Sequence, residues 1–424
     1  MDKIKKHNQR AQIIEAALEY FVSIMVTGAF LAAILTNIGV SDSVTGITTS
    51  ITHLGCLAQF FAVLFLKPKT TVKRMVTLMH IINQTMFVCL YMLPFFQIPP
   101  IIKTTLFIIL FVCSSFINSA ATPFRLSWMM SYVDDEQRGA YTAKKEIISL
   151  ISGIVFSYLM GALIDYFEEI GKVEIGFVLS GVTLFVLAIL HTVSLLSFKD
   201  TEEDKNPQSK KHSVKEILDA TLLSKDYRKI IGLDMIWQAA TGLSVSFYGT
   251  YQINELGFSL KYVAFLSALC SIARASASTF FGRFADKHSW CKMLMLNFGL
   301  GALGFLTMAF TSPGNGKYMY ALYMIFYALC MAGANGGMTN IAFDYTTHDL
   351  RAQALGVKNS VGGVVHFIAA LVGAKIVSTV QTSGNEIFGT TIYAQQLLSF
   401  VSFALLAFSV VYLKLVIGKL KKSV

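Results

Sequence analysis

Residues 282–292 read GRFADKHSWCK: a glycine, an acid and three lysines or arginines set between two long apolar runs. Most of the chain has little polarity to spend on such a turn. Of its 424 residues, 54% are hydrophobic and 14% charged, and mean hydropathy is +0.59. A soluble domain is about a quarter charged, so the profile is that of a polytopic membrane protein. Working outward from the turn, runs of about 20 apolar residues, enough to cross a bilayer, fall at 12–37, 46–66, 75–96, 102–131, 142–165, 176–197, 229–252, 260–282, 292–312, 318–345, 354–380 and 391–414. The first is far longer than the apolar part of a signal peptide and is expected to be a retained span.

Twelve spans put both termini on one face, and the cations say which. Most of the 35 lysines and arginines lie at the termini or in and beside the segments after even-numbered spans, whereas the opposite loops hold only Lys103, Lys172, Lys261 and Lys317. By the positive-inside rule both termini are expected in the cytoplasm. The net charge of +10 is then read as cationic cytoplasmic loops, not as a nucleic-acid footprint. One long polar segment, 198–228, divides the spans six and six, giving an expected N-terminal bundle at 1–197, a cytoplasmic linker and a C-terminal bundle at 229–424. Within the linker, Ser213 to Leu223 predicts a short amphipathic helix at the membrane surface. The six cysteines show no metal-ligand spacing and are expected to be buried free thiols.

The halves echo each other. YVDDEQRGAYTAKK (132–145) follows span 4 and DYTTHDLRAQALGVK (344–358) follows span 10; aligning Arg138 with Arg351 also aligns Lys145 with Lys358. A glycine-containing helix follows each. Duplicated six-span halves are the sequence mark of a transporter whose site lies where the halves meet.

With that duplication in view, the opening turn resembles the loop signature of the major facilitator superfamily, roughly G-x-x-x-D-[RK]-x-G-[RK]-[RK], between the second and third helices of a half. Gly282, Asp286, Lys287 and Lys292 occupy or approximate the pattern, and Ser289 stands where a second glycine is usual. The first-half counterpart, VLFLKPKTTVKR (63–74), keeps the basic residues but has Lys67 and Pro68 in place of the acid and lacks the glycine. The resemblance implies an all-α membrane protein of two pseudo-symmetric six-helix bundles, a monomer, with spans 1, 4, 7 and 10 lining a central cavity. In physical terms Gly282 permits close helix approach. Asp286 is an anion at a helix end that suits a neighbouring helix N-terminus or an arginine there. The resemblance places that partner at the start of span 5, near Arg138, so that Gly282, Asp286, Lys287 and Arg138 form an expected cytoplasmic gate.

Ionisable groups are costly in hydrocarbon, so those inside spans are candidates for function. Span 1 carries Glu15 and Glu19 on one face, span 4 Arg125, span 7 Asp234, and span 8 Arg274. At 1.5 Å of rise per residue, Glu19, Arg125, Asp234 and Arg274 lie roughly 8–12 Å from the cytoplasmic helix ends. Glu19 with Arg125, and Asp234 with Arg274, are the expected pairs, either as structural ion pairs or with Glu19 and Asp234 carrying the coupling proton. Glu15, Asp344 and Lys358 are expected near the cytoplasmic face and solvated. Near mid-membrane, Trp237, Gln238, Asn335 and His366 suit a polar organic solute, and Arg125 adds a site for an anion; His366 titrates near neutrality and is open to a proton-carrying or a packing role. His53, His80 and His191 are read as packing or surface residues.

These features point to a secondary transporter of a small polar or anionic organic solute in the cell membrane, driven by a proton or a sodium ion. The alternative is a drug or metabolite exporter of the same fold, disfavoured because span 5 has Gly153 and Gly161 but not the Gly-Pro kink usual in proton-coupled exporters of that superfamily. A sensor on the same scaffold would show no solute flux. An enzyme or ATP-driven pump is disfavoured, since H-E-x-x-H, G-x-S-x-G and the Walker A pattern do not occur. No cofactor and no metal site is expected.

Overall fold

The computed structural model describes residues 2–65, 72–130, 132–133, 138–199, 213–347, 350–387 and 390–420. Lys67 and Pro68, the front of the expected linker and the side chain of Arg138 lie outside the described residues. Within them the chain forms fourteen α-helices of seven residues or more. These are α1 (Asp2–Met25), α2 (Gly28–Asn37), α3 (Asp42–Phe65), α4 (Val72–Met92), α5 (Pro100–Met130), α6 (Arg138–Glu169), α7 (Val173–Ser197), α8 (Val214–Ala220), α9 (Lys225–Ser244), α10 (Leu260–Lys287), α11 (Trp290–Ala309), α12 (Gly316–Asp344), α13 (Arg351–Thr382) and α14 (Ala394–Leu415). A two-residue hairpin, β1 (Glu386–Ile387) with β2 (Thr390–Thr391), precedes α14.

Among the described residues ten helices are long and apolar enough to cross a membrane, and an eleventh span results if α1 and α2, bent by 43°, count as one. A helix, α3, stands at the position of the remaining expected span but is not among those counted. The bend between α1 and α2 comes at Thr27 and Gly28, where Gly28 takes φ +55°, a left-handed conformation natural only to glycine. The carbonyl of Met25 at this break accepts a hydrogen bond from the Tyr91 hydroxyl at 2.5 Å. Within the stretch expected to form a short amphipathic helix, α8 is helical and is opened by a capping box in which Ser213 and Glu216 satisfy each other's backbone amides.

The chain divides into two compact units, Met1–Ser41 with Gly55–Ser209 and Phe258–Phe265, and Asp42–Leu54 with Lys210–Gly257 and Leu266–Val424. In the first unit α4 packs against α5 and α7, and α1 against α6 and α7. In the second, α11 packs against α12 and α14, and α9 against α13 and α14. The duplication read from sequence thus reappears as one pairing scheme used twice. The unit boundaries depart from the six-and-six division because two short segments cross over. In the first unit, Asp165 accepts the Leu260 and Lys261 amides on its two carboxylate oxygens at 2.9 and 2.8 Å, satisfying the free N–H groups that open α10. Gly161 makes the fit possible, since a Cβ there would stand 2.9 Å from the Leu260 carbonyl carbon. In the second unit, Asp42 accepts from Asn254 at 2.6 Å and Gln381 at 2.8 Å, while Gly46 lies against the Phe247 ring.

Two sequence expectations are corrected here. Among the described residues no atom lies within 4 Å of where a Gly282 Cβ would be, so no close approach is seen there. A glycine that does bring helices together is Gly242 on α9, whose Cβ would stand 2.4 Å from the His366 carbonyl oxygen of α13. None of the six cysteines is in a disulfide, as expected, but Cys89 and Cys113 are exposed and only Cys330 is fully buried.

Gly242→Val should therefore destabilise the protein by about 1–3 kcal/mol through overpacking, lowering its melting temperature in detergent. Gly282→Ala should leave that temperature unchanged or raise it, because alanine is better than glycine by roughly 1 kcal/mol in a helix. Equal losses from the two variants would contradict the packing described.

Candidate functional site

In the first unit the charged residues gather where α1, α4, α5 and α7 pack. Glu15 and Glu19 share one face of α1. Arg125 of α5 reaches both, its Nη1 donating to Glu19 Oε1 at 3.0 Å and to Glu15 Oε1 at 3.4 Å. His191 of α7, fully buried, places Nε2 3.3 Å from Glu15 Oε1 and Nδ1 3.8 Å from Glu19 Oε2. His80 of α4 lies against the His191 ring, centroids 3.7 Å apart. The expected pair of Glu19 with Arg125 is present. Glu15, expected to be solvated, is instead buried at 4% exposure. The reason is helix length: α1 begins at Asp2, so Glu15 stands several turns inside it.

In the second unit Asp234 of α9 does not pair with Arg274. Its partner is Lys358 of α13, whose Nζ donates to Oδ1 at 2.9 Å, with both side chains buried. Arg274 is half-buried on α10. Lys358 was expected at the membrane face, but α13 starts at Arg351, so Lys358 sits two turns into the helix against α9. Gly362, one turn on, supplies the room: a Cβ there would lie 2.3 Å from Asp234 Oδ2.

One turn along α9 from Asp234, an uncharged polar cluster forms around His366. Gln238 Oε1 lies 3.3 Å from His366 Nδ1, Thr241 Oγ1 is 3.4 Å from the same nitrogen, and Ser246 Oγ is 3.3 Å from Nε2. The amide oxygen of Gln238 can only accept, and Thr241 already donates to the Trp237 carbonyl at 3.0 Å. These partners assign the proton to Nδ1 and make Nε2 the acceptor of the Ser246 hydroxyl. Ser246 is in place because α9 gives way after Ser244 to a 3₁₀ turn, Val245–Phe247, followed by a π turn at Tyr251–Glu255, a kind of irregularity that recurs at functional sites. His53 of α3 stacks on His366, centroids 3.5 Å apart and planes 15° apart.

Of the four residues expected to line a mid-membrane site, Gln238 and His366 meet. Trp237 is turned away, stacked on Phe298 at 5.1 Å. Asn335 stands exposed on α12, apart from this cluster in every described contact. Asp286 and Lys287 are both exposed on the last turn of α10. Sequence reasoning missed His53, His80, His191, Glu15 and Lys358. For the histidines the available signal was their position inside apolar helices, where a polar ring needs a partner.

A sequence model of the Major Facilitator Superfamily matches residues 16–370. The chain belongs to that superfamily. Solved structures of members share the fold at low identity. The nucleoside transporter NupG, in a mutant form, gives a TM-score of 0.74 at 13% identity, covering 96% of this chain and 99% of its own. A bacterial homologue of the iron transporter ferroportin, in an inward-facing state, gives 0.68 at 14%, covering 98% of each chain. A bacterial homologue of the human lysosomal transporter Spinster gives 0.66 at 13%, covering 98% of this chain and 95% of its own. Among curated proteins no sequence matches. Superfamily membership makes the chain a multi-pass membrane transporter and not an enzyme.

A buried ion pair is costly to break because the surviving charge is left uncompensated. Asp234→Asn or Lys358→Met alone should each cost about 3–5 kcal/mol. The double variant should recover most of that loss. A thermal-unfolding double-mutant cycle checks this, and additive losses would contradict a direct pair.

Proposed function

We propose that the protein is a secondary active transporter that carries a small, uncharged, polar organic solute by alternating access, driven by a proton. The carrying observation is the His366 cluster. Gln238, Thr241 and Ser246 present neutral donors and acceptors beside two stacked imidazoles, an arrangement that matches hydroxyl, amide or heteroaromatic groups. An anionic solute is disfavoured, because Arg125 is engaged by two glutamates and Lys358 by Asp234. That the structurally similar NupG is a nucleoside transporter supports a polar organic solute.

For coupling we assign Asp234. Its Oδ2 has no hydrogen-bond partner among the described residues, and a proton there would cancel the attraction to Lys358. Lys358 faces it from α13, and Tyr227 lies on its own helix. Sodium is disfavoured, since a lone carboxylate oxygen beside an ammonium offers too few oxygen ligands for a hard cation. Both termini are assigned to the cytoplasm and the protein to the cell membrane, from the cation distribution. Asp286 and Lys287, from the loop signature they carry, and Arg138, from the superfamily resemblance, are kept as the proposed cytoplasmic gate.

The test is counterflow of labelled nucleosides and other neutral polar solutes into proteoliposomes. Losing one hydrogen bond of about 1–1.5 kcal/mol means roughly tenfold weaker binding, so Gln238→Ala and His366→Ala should each raise the half-saturating concentration by about that factor. Asp234→Asn combined with Lys358→Met should retain exchange and lose accumulation driven by a pH gradient. Dye efflux without solute counterflow would favour the exporter alternative.

A further inference from the structure

We infer that the first unit contains a binding site for a first-row divalent transition-metal ion, with Glu19 Oε2, His80 Nε2 and His191 Nδ1 as its protein donors. The site lies on α1, α4 and α7 and is independent of the solute cluster in the second unit. It also revises the expectation of no metal ligands, which arose because the three residues are far apart in sequence.

One ligand atom from each of Glu19, His80 and His191 lies within 4.8 Å of the other two. Glu19 Oε2, His80 Nε2 and His191 Nδ1 are each buried and have no hydrogen-bond partner among the described residues. Three converging orphan atoms in a membrane bundle are costly, since buried polar groups are ordinarily satisfied. The tautomer of His191 sharpens the case. A glutamate carboxylate accepts and does not donate, so the 3.3 Å contact with Glu15 Oε1 places the ring proton on Nε2. Nδ1 then presents a lone pair to Glu19 Oε2, another lone pair, at 3.8 Å. With His191 neutral, two acceptors face each other, and a cation between them, a metal ion or a proton, turns that repulsion into attraction. A ligating histidine whose other nitrogen donates to a carboxylate is also the usual supporting arrangement of a metal centre.

The remaining groups fit. Arg125 holds Glu19 through Oε1, the other oxygen, so it orients the carboxylate without occupying the donor. Glu15, Glu19 and Arg125 together carry one net negative charge, which offsets half of a dication's charge. Metal–donor distances of about 2.0–2.2 Å place tetrahedral donors roughly 3.4 Å apart, so the 3.8 Å gap needs only a small closure. Two imidazoles exclude magnesium and calcium, which favour all-oxygen sites. The absence of thiolate among the donors disfavours copper(I). Zinc, copper(II), nickel, cobalt, iron(II) and manganese remain, with open positions left for water or a bound ligand.

Titrating Co²⁺ into protein purified without a polyhistidine tag and held in nanodiscs tests this directly. One Co²⁺ should bind per chain, with a visible d–d spectrum; Zn²⁺ should displace it, and Mg²⁺ should not. His80→Gln and His191→Gln should each weaken binding by about 100-fold or more, and Glu15→Gln by about tenfold, as for a supporting carboxylate. Melting curves in metal-free buffer check that the variants fold. If they do not, X-ray absorption at the zinc edge of the wild-type complex, expected to show two imidazole ligands, decides instead. No Co²⁺ or Zn²⁺ binding by the wild type, binding unchanged in both histidine variants, or a zinc edge without imidazole overturns the inference. Because binding is read without flux, a failed transport assay leaves this outcome separate.

Discussion

A guanidinium in a membrane bundle must be matched by carboxylate, and in this protein that requirement organises the first unit. Arg125 enters from α5 and cannot be left unpaired in hydrocarbon. α1 answers with two glutamates one turn apart, and α7 adds His191 against the first of them. One buried charge thus ties α1, α5 and α7 together, with α4 alongside through His80. The pairing of Arg125 is internal to the unit. The second unit meets the same demand with one pair, Asp234 to Lys358.

Compared through the shared pairing scheme, the two solutions are related but not identical. α1 and α9 hold corresponding places, and both supply the acid. The cation moves: it comes from α5 in the first unit and from α13, the counterpart of α6, in the second. The scaffold is duplicated and the chemistry is not. Buried charges are expensive enough that each unit must close its own account, yet many geometries achieve that. Once both accounts are closed, the groups left free to recognise a solute are uncharged, and that constraint shapes the reading of the His366 cluster.

Much of the fold was legible because it rests on properties that sequence states directly. Apolar run length located the helices, and the repeated segments around Arg138 and Arg351 announced the duplicated scheme. The Glu19–Arg125 pair followed from depth alone. What sequence hid was which helices touch and how far each extends beyond its apolar run. α1 and α13 both continue into polar sequence, so Glu15 and Lys358 are buried although they stand near the edges of apolar runs. Gly282 drew attention through a loop signature, whereas Gly242 and Gly362, which shape the contact between α9 and α13, sit in unremarkable helical sequence. The His80 and His191 rings converge only because α4 and α7 pack side by side.

That contact between α9 and α13 also explains how a coupling event can reach a solute. Asp234 and Gln238 are one turn apart on α9, and Lys358, Gly362 and His366 follow at successive turns on α13. The ion pair and the polar cluster are therefore consecutive layers of a single two-helix seam. Gly362 admits the Asp234 carboxylate and Gly242 admits the His366 backbone, so neither layer has slack. Under the proposed coupling, a proton on Asp234 removes the attraction holding Lys358, and the two helices can shift at that layer. The next layer cannot ignore the shift, because the Gln238 to His366 contact is only 3.3 Å long and spans the same two helices. No loop or distant relay is needed: rigid helices carry the displacement one turn, from the group that takes the proton to the groups that hold the solute.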